Sequence, residues 1–249
     1  MREENSVDRT RRAFLQTCGI AGLFVAAAQP MRAWAQSGNG RPMKIGIVGS
    51  GKLGGAVGSR WVKAGHQALF SSRHPEQLKS LVEPLGPRAR AGTVAEAIAF
   101  GDVVFVAVPY RALPAIGREH AAALSGKIVL DASNPIVARD GEVAQEAMAN
   151  GIGPTSQKYL RGVRLVRAFN PVGYRNFEGD PATGGERIGM PVAGDDPEAV
   201  KVAAQLARDA GVEPVVLPLS RAMDFAPGTP LFGQAFPVSE LRNRLGISG

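Results

Sequence analysis

The chain contains one cysteine in 249 residues, three histidines and only 6 % aromatic residues. Cys18 lies in an apolar N-terminal run. Beyond it, therefore, the sequence offers no disulfide, thiol nucleophile or cysteine metal site. His66, His74 and His120 fit none of the spacings that bring two imidazoles to one ion, so no protein-ligated metal is expected. No apolar run reaches the roughly 20 residues of a membrane-spanning helix. Lys+Arg number 29 against 22 Asp+Glu, a formal charge of +7, but the basic residues are dispersed. Without a basic run or an aromatic-basic stripe, nucleic acid is not an expected partner, and the mild excess favours small anions.

What is present begins with Thr10-Arg11-Arg12-Ala13-Phe14-Leu15, followed by the apolar run from Cys18 to Ala28 and by Ala33-Trp34-Ala35. Paired arginines, an apolar core and a small-x-small step, in that order, read as a twin-arginine export signal over residues 1–35, with a Sec signal or a lipid-free membrane anchor as the alternatives. Cleavage after Ala35 leaves a short leader, residues 36–42, containing Ser37-Gly38-Asn39-Gly40. The expected location is periplasmic or secreted, with the twin-arginine export machinery as a partner. The remaining chain is long enough for one sizeable domain, and its 45 % hydrophobic and 20 % charged content is that of a globular protein.

From Met43 onward, short apolar runs alternate with segments of helical character. Strands are expected at 44–48, 67–71, 103–108, 127–131, 163–169, 188–193 and 213–217. Helices are expected at 52–64, 75–82, 93–100, 110–124, 143–150 and 197–211. Nearly all-apolar strands alternating with helices predict an α/β fold, a Rossmann-type doubly wound parallel sheet with helices on both faces. The expected organisation is a nucleotide domain over 43–186, then a strand-helix-strand and a compact proline-rich tail over 187–249. A short helix at 238–245 lies within that tail.

Gly49-Ser50-Gly51-Lys52-Leu53-Gly54 follows the first strand and opens the first helix. In such a turn the first glycine makes the bend, the second admits a diphosphate to the backbone, and the third allows close helix packing. The amides that open the helix then face the anion. No Gly-Lys-Ser/Thr follows at Walker spacing. At the end of the second strand stands Phe70-Ser71-Ser72-Arg73-His74, where a site for NAD ordinarily carries an acid. Hydroxyls and a guanidinium suit a 2′-phosphate, so Ser72 and Arg73 predict NADP as the cofactor.

Together with Ala64-Gly65-His66, Val106-Ala107-Val108-Pro109, Asp131-Ala132-Ser133-Asn134-Pro135, Arg167-Ala168-Phe169-Asn170 and Gly194-Asp195-Asp196-Pro197, these motifs resemble the NADP oxidoreductases dependent on coenzyme F420, a deazaflavin. They are also similar to the nucleotide domain of membrane ferric reductases. The resemblance implies that Ser50 to Leu53 wrap the diphosphate and that Ser72 and Arg73 hold the 2′-phosphate. It also implies that Val108 and Pro109 lie along the ribose and nicotinamide, which Asn134, Pro135 and Asn170 approach. Pro109 and Pro135 also read as helix punctuation after strands.

Hydride transfer to a flavin-like ring depends on face-to-face placement rather than on proton chemistry, so no catalytic side chain is assigned. The expected activity is NADP(H)-dependent hydride transfer to a flavin-like, deazaflavin or other small-molecule electron acceptor. Arg175 reads either as a contact to an anionic acceptor or as an exposed loop arginine. Two other classes stay open: a nucleotide-holding or sensor protein that docks to a redox partner, and an imine or carbonyl reductase. For the last, Tyr110, Tyr174 and Lys158 are proton donors by residue type alone. A homodimer is a further expectation.

Overall fold

The computed structural model describes residues 41–247, so the expected export signal and most of the expected leader lie outside the described residues. The first half alternates strands and helices: β1 (Lys44–Val48), α1 (Lys52–Lys63), β2 (Gln67–Ser71), α2 (Lys79–Val82), β3 (Ala89–Gly92), α3 (Val94–Phe100) and β4 (Val103–Val106). Then follow α4 (Leu113–Glu119), α5 (Ala121–Leu124), β5 (Ile128–Asp131), α6 (Val137–Asp140), α7 (Glu142–Asn150), α8 (Ile152–Tyr159) and β6 (Arg164–Ala168). The rest comprises a small hairpin of β7 (Ala182–Thr183) and β8 (Glu186–Arg187), then β9 (Gly189–Gly194), α9 (Pro197–Asp209), β10 (Glu213–Leu217) and α10 (Val238–Arg244).

The main sheet has eight strands in the order β10-β9-β6-β5-β4-β1-β2-β3. From β3 to β6 it is parallel, and the chain reverses direction on either side of β1, the doubly wound arrangement. One step departs from the expected parallel sheet: β9 joins β6 antiparallel, with β10 parallel to β9. Residues 188–217 therefore extend the same sheet.

Period-two alternation sorts the strand side chains into two buried layers. Ile45, Ile47, Val103 and Phe105 face Val57 and Trp61 of α1 and Ala199, Ala203 and Leu206 of α9. Val48, Val104, Val106 and Val129 face Ile98, Leu113, Ile116 and Ile152 on the other side. Trp61 also donates its indole N–H to the Leu206 carbonyl at 2.7 Å, joining α1 to α9 across the sequence.

Helix starts follow local chemistry. Thr93 and Glu96 form a reciprocal capping box on α3, with Glu96 N to Thr93 Oγ1 at 3.2 Å and Thr93 N to Glu96 Oε2 at 2.7 Å. Asp196 caps α9 through the Ala199 amide at 3.0 Å and takes a bidentate pair from Arg164 at 2.6 and 2.7 Å.

Several elements differ from the sequence reading. β3, Ala-Arg-Ala-Gly, lacks β-branched residues and is a strand because it pairs with the edge of β2. The helix expected over 110–124 breaks into a 3-10 turn and two short helices, because His120 leaves helical geometry at φ −119 and ψ 19. The strand expected over 103–108 stops at Val106, and α8 forms with Pro154 in its first turn, where the missing N–H costs nothing.

Candidate functional site

The carboxyl ends of β1, β4, β5 and β6 lie side by side, and the loops leaving them form one rim. At its centre is the turn after β1. Gly49 has φ +94, a conformation that favours glycine. A β-carbon built there would come within 2.6 Å of the Ala107 carbonyl oxygen and of Val108 Cγ1, so the turn is packed against the segment leaving β4. A β-carbon on Gly54 would overlap the Gly49 carbonyl oxygen, because α1 begins hard against its own turn. Gly51 differs: a β-carbon there meets nothing within 4 Å.

Gly51 is also the N-cap of α1, and the helix has neither a side-chain cap nor an acid in its first turn. Its opening amides and positive dipole end are thus left to an external anion. Lys52 is exposed, Leu53 is half-buried against the core, and Ser50 contributes a buried hydroxyl with no partner among the described residues.

Ser50 N donates to the Ser71 carbonyl at 3.0 Å, tying the glycine turn to the end of β2. Ser71 lies in register with Val48, and its hydroxyl donates to the Ile47 carbonyl at 2.7 Å. Ser72 and Arg73 therefore border the turn. Ser72 Oγ accepts the His74 amide at 2.9 Å, which shapes the loop and leaves the hydroxyl proton free to donate. Arg73 is exposed and lies in no ion pair with the described residues.

On the other side of β1, Val108 is half-buried against the turn and Pro109 is exposed just before the 3-10 turn that starts at Tyr110. Asn134 and Asn170, at the ends of β5 and β6, are brought together. Asn134 Nδ2 donates to the Asn170 carbonyl at 2.8 Å, and Asn170 Nδ2 faces Asn134 Oδ1 at 3.3 Å. Asn170 Oδ1 is buried without a partner among the described residues. Pro135 is buried beside Asn134. Phe169, just before Asn170, has φ 67 and is held by edge contacts with Trp61 at 5.4 Å and Phe105 at 5.6 Å. This strained backbone turns the chain out of β6 at the rim.

Beneath the asparagine pair is a polar network that the sequence reading missed. Asp131 and Arg167, both fully buried, are register partners on β5 and β6 and form an ion pair. Arg167 Nη2 donates to the Ser133 carbonyl at 2.7 Å, and Ser156 Oγ donates to Asp131 at 2.8 Å. Tyr110 OH reaches Ser156 Oγ at 3.1 Å. The available signal was opposite charge near the carboxyl ends of two adjacent strands, Asp131 after Ile-Val-Leu and Arg167 after Leu-Val.

The network decides the role of Tyr110. Burial, reinforced by the Asp131 charge, pushes its phenol well above the usual 10.0, and the hydroxyl is engaged inside the protein. It is not an accessible proton donor. Lys158 pairs with Glu146 at 2.5 Å on the α7–α8 surface and is not on the rim. Tyr174 is on it, with its ring centroid 5.3 Å from Lys52 Nζ.

Comparisons with known proteins agree with this geometry. Residues 44–135 match the family described as NADP oxidoreductase, coenzyme F420-dependent. The rat metalloreductase STEAP3 is 29 % identical over 179 residues, which cover 69 % of this chain but 33 % of that protein. The chain thus spans well under half of that relative. A solved hypothetical protein of Sinorhizobium meliloti superposes with a TM-score of 0.67 at 27 % identity, covering 79 % of this chain and 96 % of the other. A proposed F420-dependent NADP reductase of Arthrobacter sp. FB24 shares the fold, with a TM-score of 0.62 at 22 % identity, over 72 % of this chain and 87 % of its own. Over residues 44–135, carrying the glycine turn and the strands on either side of it, the chain is similar to the coenzyme F420-dependent NADP oxidoreductase family.

Proposed function

We propose that this protein binds NADP(H) along the rim formed by β1, β4, β5 and β6 and passes hydride between its nicotinamide and a flavin-like or deazaflavin acceptor. The observation that carries the reading is the division of roles among three glycines. Gly49 is closed to any side chain by the segment leaving β4 and Gly54 by the turn itself, whereas Gly51 is open on the side where a diphosphate would approach. The uncapped first turn of α1 fits the same anion. Ser72 and Arg73 suit a 2′-phosphate, and no acid stands at the end of β2 to repel it.

Bound NADPH supplies the hydride. The chain's part is placement: Gly51, Lys52 and Leu53 hold the diphosphate end, Val108 and Pro109 border the middle, and Asn134, Pro135 and Asn170 orient the nicotinamide end. The engaged hydroxyl of Tyr110 supports chemistry that needs no side-chain acid.

Titration of the purified protein with NADPH and NADH tests the reading. Arg73→Ala should weaken NADPH binding by about 1.5–3 kcal/mol and leave NADH nearly unchanged. A preference of the wild type for NADH would refute it. Absorbance assays with a deazaflavin, flavins, ferric chelates and quinones test turnover, and tight NADPH binding without turnover would favour a nucleotide-holding protein instead.

Export is a companion proposal, supported by Arg11-Arg12 and the apolar run that follows. NADP(H) would then be loaded before translocation. Replacing both arginines by lysine should stop export in cell fractionation, and undiminished export would remove the assignment.

A further inference from the structure

Lys52 and Arg175 are far apart in sequence yet meet at one side chain. Lys52 Nζ lies 5.3 Å and the Arg175 guanidinium carbon 5.9 Å from the Tyr174 ring centroid. Arg175 Nε also donates to the Tyr174 hydroxyl at 3.4 Å. Among the described residues, neither cation has a carboxylate within the 4.0 Å of an ion pair. Glu178 acts on Arg175 by charge from beyond ion-pair distance, so the two cations gathered at one ring are left without a direct acid partner, an arrangement that a bound anion would complete.

The arrangement is built in rather than a chance approach of a loose loop. Tyr174 opens a 3-10 turn that ends at Phe177, which is 2 % exposed. Phe177 packs at 5.9 Å on Phe169, and Phe169 in turn packs on Trp61 of α1. The segment leaving β6 is thus anchored back onto α1, the helix whose N-terminus carries Lys52.

We propose that Lys52, Tyr174 and Arg175 form a clasp over the diphosphate of NADP(H), with Arg175 supplying a second cation beside Lys52 of the glycine turn. This rests on the nucleotide reading and adds residues to it. The diphosphate is the indicated anion because Lys52 is the first residue of α1, beside the open Gly51. The 2′-phosphate is assigned to Ser72 and Arg73 beyond β2, on the opposite side of β1 from β6.

The test uses the full-length protein and two probes: NADPH, and adenosine 2′-monophosphate, which has the 2′-phosphate but no diphosphate. Arg175→Ala should weaken NADPH about tenfold, the scale of one charge-assisted contact, and leave adenosine 2′-monophosphate within about twofold. Tyr174→Phe, which keeps the ring between the cations, should lose less than Tyr174→Leu. Unchanged NADPH affinity in Arg175→Ala would overturn the clasp. Unchanged NADPH affinity with a raised acceptor KM would move the arginine to the acceptor site, and equal losses with both probes would show an unspecific effect. Failure of the wild type to bind NADPH sinks the nucleotide reading first, whereas wild-type binding with an indifferent Arg175 sinks the clasp alone.

Discussion

Replacing Gly51 or Gly54 by alanine adds the same methyl group three residues apart, yet the two variants should fail differently. At Gly54 the new carbon would overlap the Gly49 carbonyl oxygen, with the Gly49 carbonyl carbon at 3.1 Å and Ile47 Cγ2 at 3.4 Å. Backbone cannot rotate away as a side chain does, so α1 or the turn must shift, at a cost of about 1–3 kcal/mol or more. Alanine regains up to ~1 kcal/mol of helix propensity there, which leaves a net loss. At Gly51, φ is −71 and nothing lies within 4 Å of the new carbon. The stability change should stay within about 1 kcal/mol, the scale of an N-cap exchange. That carbon nevertheless occupies the space through which a diphosphate reaches the α1 amides, so NADPH affinity should fall at least tenfold, or about 1.4 kcal/mol. Urea unfolding and NADPH titration on the same preparations separate the two effects. A stable Gly51→Ala that binds NADPH within about twofold of wild type would refute the approach of the diphosphate at this glycine.

The buried Asp131–Arg167 pair predicts a second contrast. Arg167→Met leaves a fully buried carboxylate without its cation and should cost about 3–5 kcal/mol, a large part of the ~5–15 kcal/mol of a typical domain. Adding Asp131→Leu should recover most of that loss in urea unfolding, and equal losses in the single and double variants would contradict the assignment. The three tyrosines should titrate apart. The hydrogen bond from Arg175, with the Lys52 and Arg175 charges, holds Tyr174 below 10.0, whereas burial pushes Tyr159 up to about 12 and Tyr110 higher still. The first tyrosinate absorbance step should therefore disappear in Tyr174→Phe. Because the folded state releases this proton more readily than the unfolded chain, the ionisation adds stability as pH rises from the lowered value toward 10.0, and the gain is lost on return to lower pH. Bound NADPH, by drawing off both cations, should shift the step upward, and a step unmoved by saturating nucleotide would count against the clasp.

The sequence by itself determined the sheet class, the glycine turn and the chemistry after β2. These are local: a strand, a bend and a helix start within a dozen residues, and period-two apolar runs specify which faces are buried. The hydroxyl and guanidinium groups of Ser72 and Arg73 are likewise legible where they stand. Tertiary structure alone decided the rest. β3 is a strand only because β2 offers it an edge, and the antiparallel step from β6 to β9 has no signature in either strand. The meeting of Asn134 with Asn170, of Asp131 with Arg167 and of Lys52 with Arg175 depends on strand order and loop return, which bring distant residues to one rim. Burial also changed a meaning that residue type could not: Tyr110, a proton donor by its chemistry, is sealed in the core with its hydroxyl engaged. A local pattern records what each segment can form, whereas contacts between segments exist only once the chain has packed.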